Sequence, residues 1–69
     1  MERSKADISL IWRHTHPDYR GRIDGKRSIL VNRNGGTQSV PIESLTDSEW
    51  SGYLGAAQRR EKNGQKPYR

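Results

Sequence analysis

The middle of the chain alternates between apolar and polar positions in a pattern that predicts three β-strands. The strands fall at residues 19–23, 26–33 and 37–42. Successive side chains of a strand point to opposite faces of a sheet, so every second residue of each segment should face the interior. The apolar residues predicted to face inward are Tyr19, Ile23, Ile29, Val31, Val40 and Ile42.

Turn-forming residues mark the boundaries between these strands. Asp24 and Gly25 form one two-residue turn signal, and residues 34–36 (Asn-Gly-Gly) form a second. These residue types tolerate the positive φ angles that tight hairpin turns require. Pro41 has no N–H to donate to a ladder, which predicts that the third strand lies at the edge of the sheet.

A helical period of apolar residues follows the third strand. Thr46 and Glu49 have the spacing of a capping box, which predicts that the helix begins here. After this start, apolar residues recur at intervals of three and four, so one stripe of the helix should pack on the sheet. Asn63 and Gly64 are typical of a helix end. The stripe consists of Trp50, Tyr53, Leu54 and Ala57.

The N-terminal segment fits two kinds of element. Ser4 can cap a helix with Asp7 three residues later, and a stripe of Ile8, Ile11, Trp12 and Thr15 would then lie on one face. Ile8, Leu10 and Trp12 also fit the two-residue period of a strand. We predict the helix. Pro17 ends either element, because the residue before a proline is pushed out of the helical region.

These elements together predict a small α+β domain at residues 1–64 and a flexible basic tail at residues 65–69. We expect a three-stranded antiparallel sheet with the C-terminal amphipathic helix across one face and the N-terminal segment filling one end. The predicted core consists of Ile8, Ile11, Trp12, Tyr19, Ile23, Ile29, Val31, Val40, Ile42, Leu45, Trp50 and Leu54.

Composition narrows the class of function. Only 29% of the 69 residues are apolar, and the chain contains neither Phe nor Cys. A chain this short builds one small core, which leaves too little volume for a dry, preorganised catalytic pocket. We therefore expect a non-enzymatic binding protein without a cofactor. The absence of Cys and of long apolar segments predicts a cytoplasmic protein without a membrane span.

Residues 14–18 hold the one group of metal-ligand types in the sequence. His14 and His16 alternate along the chain, and Asp18 follows them. A closed zinc site needs four protein ligands and a catalytic one needs three, and no second cluster of ligands accompanies this one. We expect these residues to form a surface loop without a metal.

The charge is positive and unevenly distributed. Thirteen Lys and Arg residues stand against eight Asp and Glu residues, for a net charge of +5. Residues 18–33 carry +3 and residues 58–69 carry +4, whereas residues 34–57 carry −3. Such a balance favours an anionic partner, either nucleic acid or an acidic protein surface.

The outward face of the predicted sheet is the first candidate site. A basic β-ribbon fits the major groove of DNA, where Arg pairs with guanine and Asn with adenine. The order β-β-β-α with a basic sheet, over about residues 19–62, resembles the three-stranded-sheet DNA-binding domains of the integrase arm-binding type. That resemblance implies DNA, in preference to RNA, as the partner. The predicted sheet contacts are Arg20, Arg22, Lys26, Arg27 and Arg33.

The end of the C-terminal helix and the tail are the second candidate site. Arg59, Arg60 and Lys62 are predicted to contact the nucleic-acid backbone, and Tyr68 can stack on a base. The alternative for both sites is that these residues are solvent-exposed and bind no ligand. Small sheets normally have one polar, solvated face. Basic residues in the last turn of a helix are favoured by its dipole without any ligand.

A protein partner is the rival interpretation. An exposed Leu30 or Trp12 flanked by Arg would be a typical interface hot spot. The acids Glu43, Asp47 and Glu49 favour this rival, because acids beside a nucleic-acid surface would repel phosphates. Small inhibitors or modulators of the kind that phages and mobile elements carry have this size and mixed charge. A homodimer formed through an edge strand is compatible with both interpretations.

Overall fold

The computed structural model describes residues 3–68, which form two helices and one β-hairpin around a shared core. Two single-turn 3₁₀ segments, Pro17–Tyr19 and Ile42–Ser44, connect them. The described part of the chain measures 33 × 28 × 25 Å along its principal axes. The elements in chain order are α1 (Lys5–Arg13), β1 (Ser28–Arg33), β2 (Gly36–Pro41) and α2 (Asp47–Lys62).

The hairpin forms where the sequence predicts its turn. Asn34 and Gly35 have φ angles of 54° and 78°, which is the backbone of the tight turn that matches the twist of antiparallel strands. Arg33 pairs with Gly36 next to this turn, and Ser28 pairs with Pro41 at the far end. The prediction of two adjacent antiparallel strands is confirmed with different bounds, because β1 begins at Ser28 and Ile42 lies in the 3₁₀ turn that follows β2.

The predicted first strand, residues 19–23, is wrong. The N–H groups of Tyr19 and Arg20 donate to the carbonyls of His16 and Pro17 in the 3₁₀ turn, so neither donates to a neighbouring strand. One isolated bridge joins Arg20 to Ile29, and the Gly21 N–H donates to the Ser28 carbonyl at 2.9 Å. Among the described residues the sheet therefore has two strands, and the architectural resemblance to three-stranded DNA-binding domains does not hold.

Both predicted helices are confirmed, and their caps explain their start points. Ser4 Oγ accepts the N–H of Asp7 at the start of α1, which resolves the N-terminal segment in favour of helix. The capping box of α2 is complete. Thr46 Oγ1 accepts the Glu49 N–H at 3.1 Å, and Glu49 Oε1 accepts the Thr46 N–H at 3.0 Å. Each bond satisfies a donor that a helix start otherwise leaves unpaired.

The core lies between the hairpin and the two helices. Within residues 3–68 the buried hydrophobic side chains are Ile11, Ile29, Val31, Val40, Ile42, Leu45 and Ala57. Six of these were predicted, and Ala57 lies on the predicted stripe of α2. Ile8, Trp12, Trp50 and Leu54 are partly buried against them. Tyr19 was placed in the core wrongly, because it is 63% exposed on the 3₁₀ turn.

The chain after α2 returns toward α1. Gly64, with φ of 76°, reverses the direction of the chain, and the Tyr68 N–H donates to the Arg13 carbonyl at 2.7 Å. The predicted tail thus contacts the folded body at Tyr68, and its flexibility stays a prediction. Arg69, with Met1 and Glu2, lies outside the described residues.

Candidate nucleic-acid interface

Arg33 faces α2 rather than the outer surface of the hairpin. It shares the inward face of β1 with Ile29 and Val31 because it is separated from them by even numbers of residues. Its guanidinium makes two hydrogen bonds to the Glu49 carboxylate, with Nε at 3.1 Å from Oε2. These bonds, followed by the one from the Thr46 N–H, lower the pKa of Glu49 from 4.5 to about 2. Arg33 is therefore engaged in holding the hairpin to α2.

We expect Glu49→Gln to lower the stability of the protein at neutral pH. The folded-state pKa of this carboxyl is depressed, so its contribution is complete above about pH 4.5 and is lost as the pH falls toward 2. Glutamine can still make the capping-box hydrogen bond, so the difference in stability reports the ion pair with Arg33. Urea unfolding should show a deficit in Glu49→Gln at pH 7 that shrinks at pH 3. Glu61→Gln, which makes the same charge change in the exposed last turn of α2, serves as the control, and equal stability of the two variants at pH 7 would contradict the prediction.

The other two acids of the helix entrance also have basic partners. The Lys26 Nζ lies 3.5 Å from the Glu43 carboxylate. An Arg3 guanidinium nitrogen lies 3.2 Å from the Asp47 carboxylate. Lys26 and Arg33, which were predicted as site residues, each form an ion pair with an acid. All three acids of residues 34–57 therefore have a basic partner.

Arg20 is held against Trp12 instead of lying on a free sheet face. Its guanidinium carbon is 3.9 Å from the centre of the Trp12 ring, a distance at which the cation is attracted to the ring face. It also donates to the carbonyls of Trp12 at 3.2 Å and Tyr68 at 3.1 Å. The Arg27 guanidinium is 5.7 Å from the same ring. Two predicted site residues, Arg20 and Arg27, therefore lie near the same Trp12 ring.

Arg60 makes a similar arrangement around Tyr68. Its guanidinium carbon lies 4.7 Å from the centre of the Tyr68 ring, and its Nε donates to His14 Nδ1 at 3.3 Å. A further bond reaches the Lys66 carbonyl at 3.4 Å. Partial burial, followed by the charge of Arg60, lowers the pKa of His14. In its neutral form His14 accepts this hydrogen bond, which helps to hold the Arg60 guanidinium beside Tyr68.

Three aromatic rings form a continuous row at this end of the molecule. The His16 ring centre is 6.1 Å from that of Tyr19 and 5.2 Å from that of Tyr68, and both pairs meet edge to face. His16 Nδ1 accepts the Asp18 N–H at 3.1 Å, which fixes the ring at the start of the 3₁₀ turn. We call Tyr19, His16 and Tyr68 the aromatic row. Sequence reasoning did not find it, because Tyr68 is far from the other two along the chain.

Arg22 is exposed and lines the same surface depression as Arg20. This open depression of about 530 Å³ is also lined by Pro17, Asp18, Leu30 and Ser39. Within residues 3–68, neither Arg22 nor Arg27 has an acidic group within ion-pair distance. The same holds across the described chain for Arg59 and Lys62, which are exposed on α2. These four keep their charge available to a ligand.

The outer face of the hairpin is different from the predicted basic face. Leu30, Asn32, Thr37 and Ser39 occupy it, and none of them is charged. Strand alternation gives Ser28 the same outward side of β1 as Leu30 and Asn32, yet it is completely buried beneath Gly21. The basic residues lie beside this face, around the aromatic row and Trp12. The structure therefore brings Arg20, Arg22, Arg27 and Arg60 into one region, whereas Lys26 and Arg33 are paired with Glu43 and Glu49.

Other kinds of site find little support in the described chain. Residues 3–68 contain no group of three His, Asp or Glu side chains close enough to hold a metal ion. Over the same residues, neither helix has the length and apolar character needed to cross a membrane. Comparison with known proteins gives no match to a family model, a curated protein or a solved structure.

Proposed function

We propose that this protein is a small, non-enzymatic nucleic-acid-binding module. The contact surface is the aromatic row together with Arg20, Arg22 and Arg60, which we call the ring surface. Arg27 lies beside it, and Arg59 and Lys62 extend the positive charge along α2. The observation that carries the proposal is the clustering of arginines around aromatic rings, a combination that binds phosphates and bases together. The proposal keeps the cytoplasmic location and requires no cofactor.

The ion pairs remove the main argument against nucleic acid. Glu43, Asp47 and Glu49 would repel phosphates if their charges were free. Each carboxylate instead lies within 3.5 Å of a Lys or Arg nitrogen. The three ion pairs cancel in charge, so the net charge of +5 comes from residues outside them. At the ring surface, the positive charges of Arg20, Arg22 and Arg60 lie in the same region as the aromatic rings. This distribution supports an electrostatic attraction directed to one end of the molecule.

A protein partner remains the second candidate, and one feature favours it. An open cleft of about 600 Å³ lies between the start of α1 and α2, with Trp50 and Leu54 among its apolar lining. Arg3 and Asp47 border it with opposite charges. An apolar floor with a charged rim is a common arrangement for a hot spot. This cleft is separate from the residues that define the ring surface, so the two candidates can be tested independently.

Arg22→Gln should weaken nucleic-acid binding and reduce its salt dependence. The matched control is Lys5→Gln, which removes the same charge at the first residue of α1, about 10–12 Å along the helix from Trp12 and Arg13 at its other end. Fluorescence anisotropy with labelled DNA or RNA at ~50 and ~200 mM salt gives affinity and slope, and each lost phosphate contact lowers the slope by roughly 0.7 to 0.9.

The comparison between these variants decides where binding takes place. We expect the Lys5→Gln affinity and slope to stay close to those of the parent. Equal losses in both variants would indicate attraction by net charge alone and would contradict the ring surface as the binding site. Absence of binding by the parent protein at ~50 mM salt, where phosphate contacts are strongest, would overturn the nucleic-acid function and favour the protein partner.

A further inference from the structure

We propose that the nucleic acid bound at the ring surface is single-stranded, with one base stacked on Tyr19 and a neighbouring phosphate contacted by Arg22. This inference rests on the proposed nucleic-acid function and makes it specific. It departs from the duplex-groove mode that the sequence predicts. Three features carry it: the neutral hairpin face, the exposure of Tyr19 and the position of Asp18.

The hairpin face lacks the groups that a groove-binding ribbon needs. A two-stranded ribbon in the major groove reads bases with side chains of its outward face and positions itself through phosphate contacts. The outward residues here are Leu30, Asn32, Thr37 and Ser39, and Thr37 Oγ1 lies 3.3 Å from Asn32 Oδ1. Arg33, the one arginine on β1, faces α2 and is paired with Glu49. The hairpin therefore supplies no cation to a duplex lying along its outer face.

Tyr19 presents an aromatic surface that is open to a ligand. At 63% exposure it is the most exposed large apolar side chain among residues 3–68. Hydrogen bonds of the 3₁₀ turn fix its backbone, and the edge-to-face contact with His16 supports its ring. Tyr68 is covered by the Arg60 guanidinium, so Tyr19 is the ring of the row that is available for stacking. Unpaired bases stack on such rings, whereas the faces of paired bases are covered by their neighbours in a duplex.

Asp18 fits a base edge better than a backbone phosphate. It lines the same depression as Arg20 and Arg22, and it directly precedes Tyr19 in the chain. A carboxylate repels phosphate but accepts hydrogen bonds from the amino groups of bases. On an unpaired base the whole hydrogen-bonding edge is open to a side chain, whereas in a duplex one amino hydrogen is used in pairing and the other is reached only from within a groove. An acid that lines the same depression as the two arginines therefore favours a strand whose base edges are accessible.

The test compares one labelled DNA strand of mixed sequence, about 16 nucleotides long, with its own duplex. We expect the parent protein to bind the single strand more tightly than the duplex at equal salt. Tyr19→Ala should lose roughly 5- to 150-fold in single-strand affinity, the range for one stacked base. Its salt slope should not change, because no charge is removed. Tyr19→Phe, which keeps the ring, should retain the parent affinity.

The outcomes separate this inference from the proposed function. Equal or tighter binding of the duplex, or full single-strand affinity in Tyr19→Ala, would overturn the single-strand inference while the ring surface could still bind nucleic acid. Absence of binding to both probes would overturn the proposed function itself. Thermal unfolding of each variant provides the folding control. Tyr19 is outside the core, so its loss should leave the unfolding transition close to that of the parent.

Discussion

Ile42→Ala is expected to destabilise the folded protein severely at room temperature. Ile42 is completely buried, and truncating a buried isoleucine to alanine costs about 2–5 kcal/mol through lost burial and the cavity left behind. At roughly 0.05–0.15 kcal/mol per residue, a chain of 69 residues has only about 3–10 kcal/mol of stability to lose. The substitution therefore removes a large share of the total.

Urea unfolding followed by circular dichroism measures this loss, and Ile42→Val provides the graded control. Valine removes one methylene and should cost about 0.5–1.5 kcal/mol. The backbone bond from the Ile42 N–H to the Arg27 carbonyl is available in both variants, so the difference between them reports the side chain. A cost below about 1 kcal/mol for the alanine variant would be incompatible with a fully packed position.

Gly21→Ala is the second substitution with a large expected effect. A Cβ at this position would lie 2.5 Å from Ser28 Oγ and 3.0 Å from the Cβ atoms of Ser28 and Ser39. Rotation of the buried Ser28 hydroxyl would not relieve the contacts with the two Cβ atoms, so the chain segment or the hairpin must shift. Crowding of this kind costs about 1–3 kcal/mol. The bond from the Gly21 N–H to Ser28 should be weakened, and with it the bridge between Arg20 and Ile29.

Gly52→Ala is the matched control because the same change is made in an open position. Gly52 is exposed in α2, and no atom lies within 4 Å of the added Cβ. Alanine should therefore stabilise the helix by roughly 0.5–1 kcal/mol. Chemical unfolding of both variants should give shifts of opposite sign, and a Gly21→Ala variant as stable as the parent would contradict the close approach.

A double substitution locates the source of the Gly21 effect. Ser28 Oγ has no hydrogen-bond partner within the described chain, so Ser28→Ala alone should be nearly neutral or stabilising. Combined with Gly21→Ala it removes the 2.5 Å contact, and part of the lost stability should return. Neighbouring residues of this kind couple by about 0.5–3 kcal/mol. If the effects of Gly21→Ala and Ser28→Ala on stability simply add, the contact with Ser28 Oγ is not the source of the strain.

Part of the candidate site could have been predicted from the sequence, and part could not. Strand alternation places Arg33 on the same face as Ile29 and Val31, which already argues against a role on the outer face. The position of Arg20 is different, because its contact with Trp12 depends on how α1 packs beside the hairpin. The aromatic row likewise depends on the return of Tyr68 to α1. No local pattern encodes either contact.

The sequence by itself determined the elements whose signals are local. The caps at Ser4 and Thr46 and the helical stripes start and orient α1 and α2, and the turn at Asn34 and Gly35 sets the hairpin. These signals act through contacts between residues three or four positions apart in a helix, or directly opposite across a turn. Such contacts form in the same way wherever the element is placed.

Only the tertiary structure decided the conformation of residues 19–23 and which charged residues form ion pairs. The strand pattern of this segment was overridden because the 3₁₀ turn uses its N–H groups and Gly21 passes too close to Ser28 to carry a side chain. The acids near α2 are neutralised by Arg3, Lys26 and Arg33, from 16 to 44 positions away. Contacts across such separations depend on how the elements pack, and packing is decided by the whole core at once.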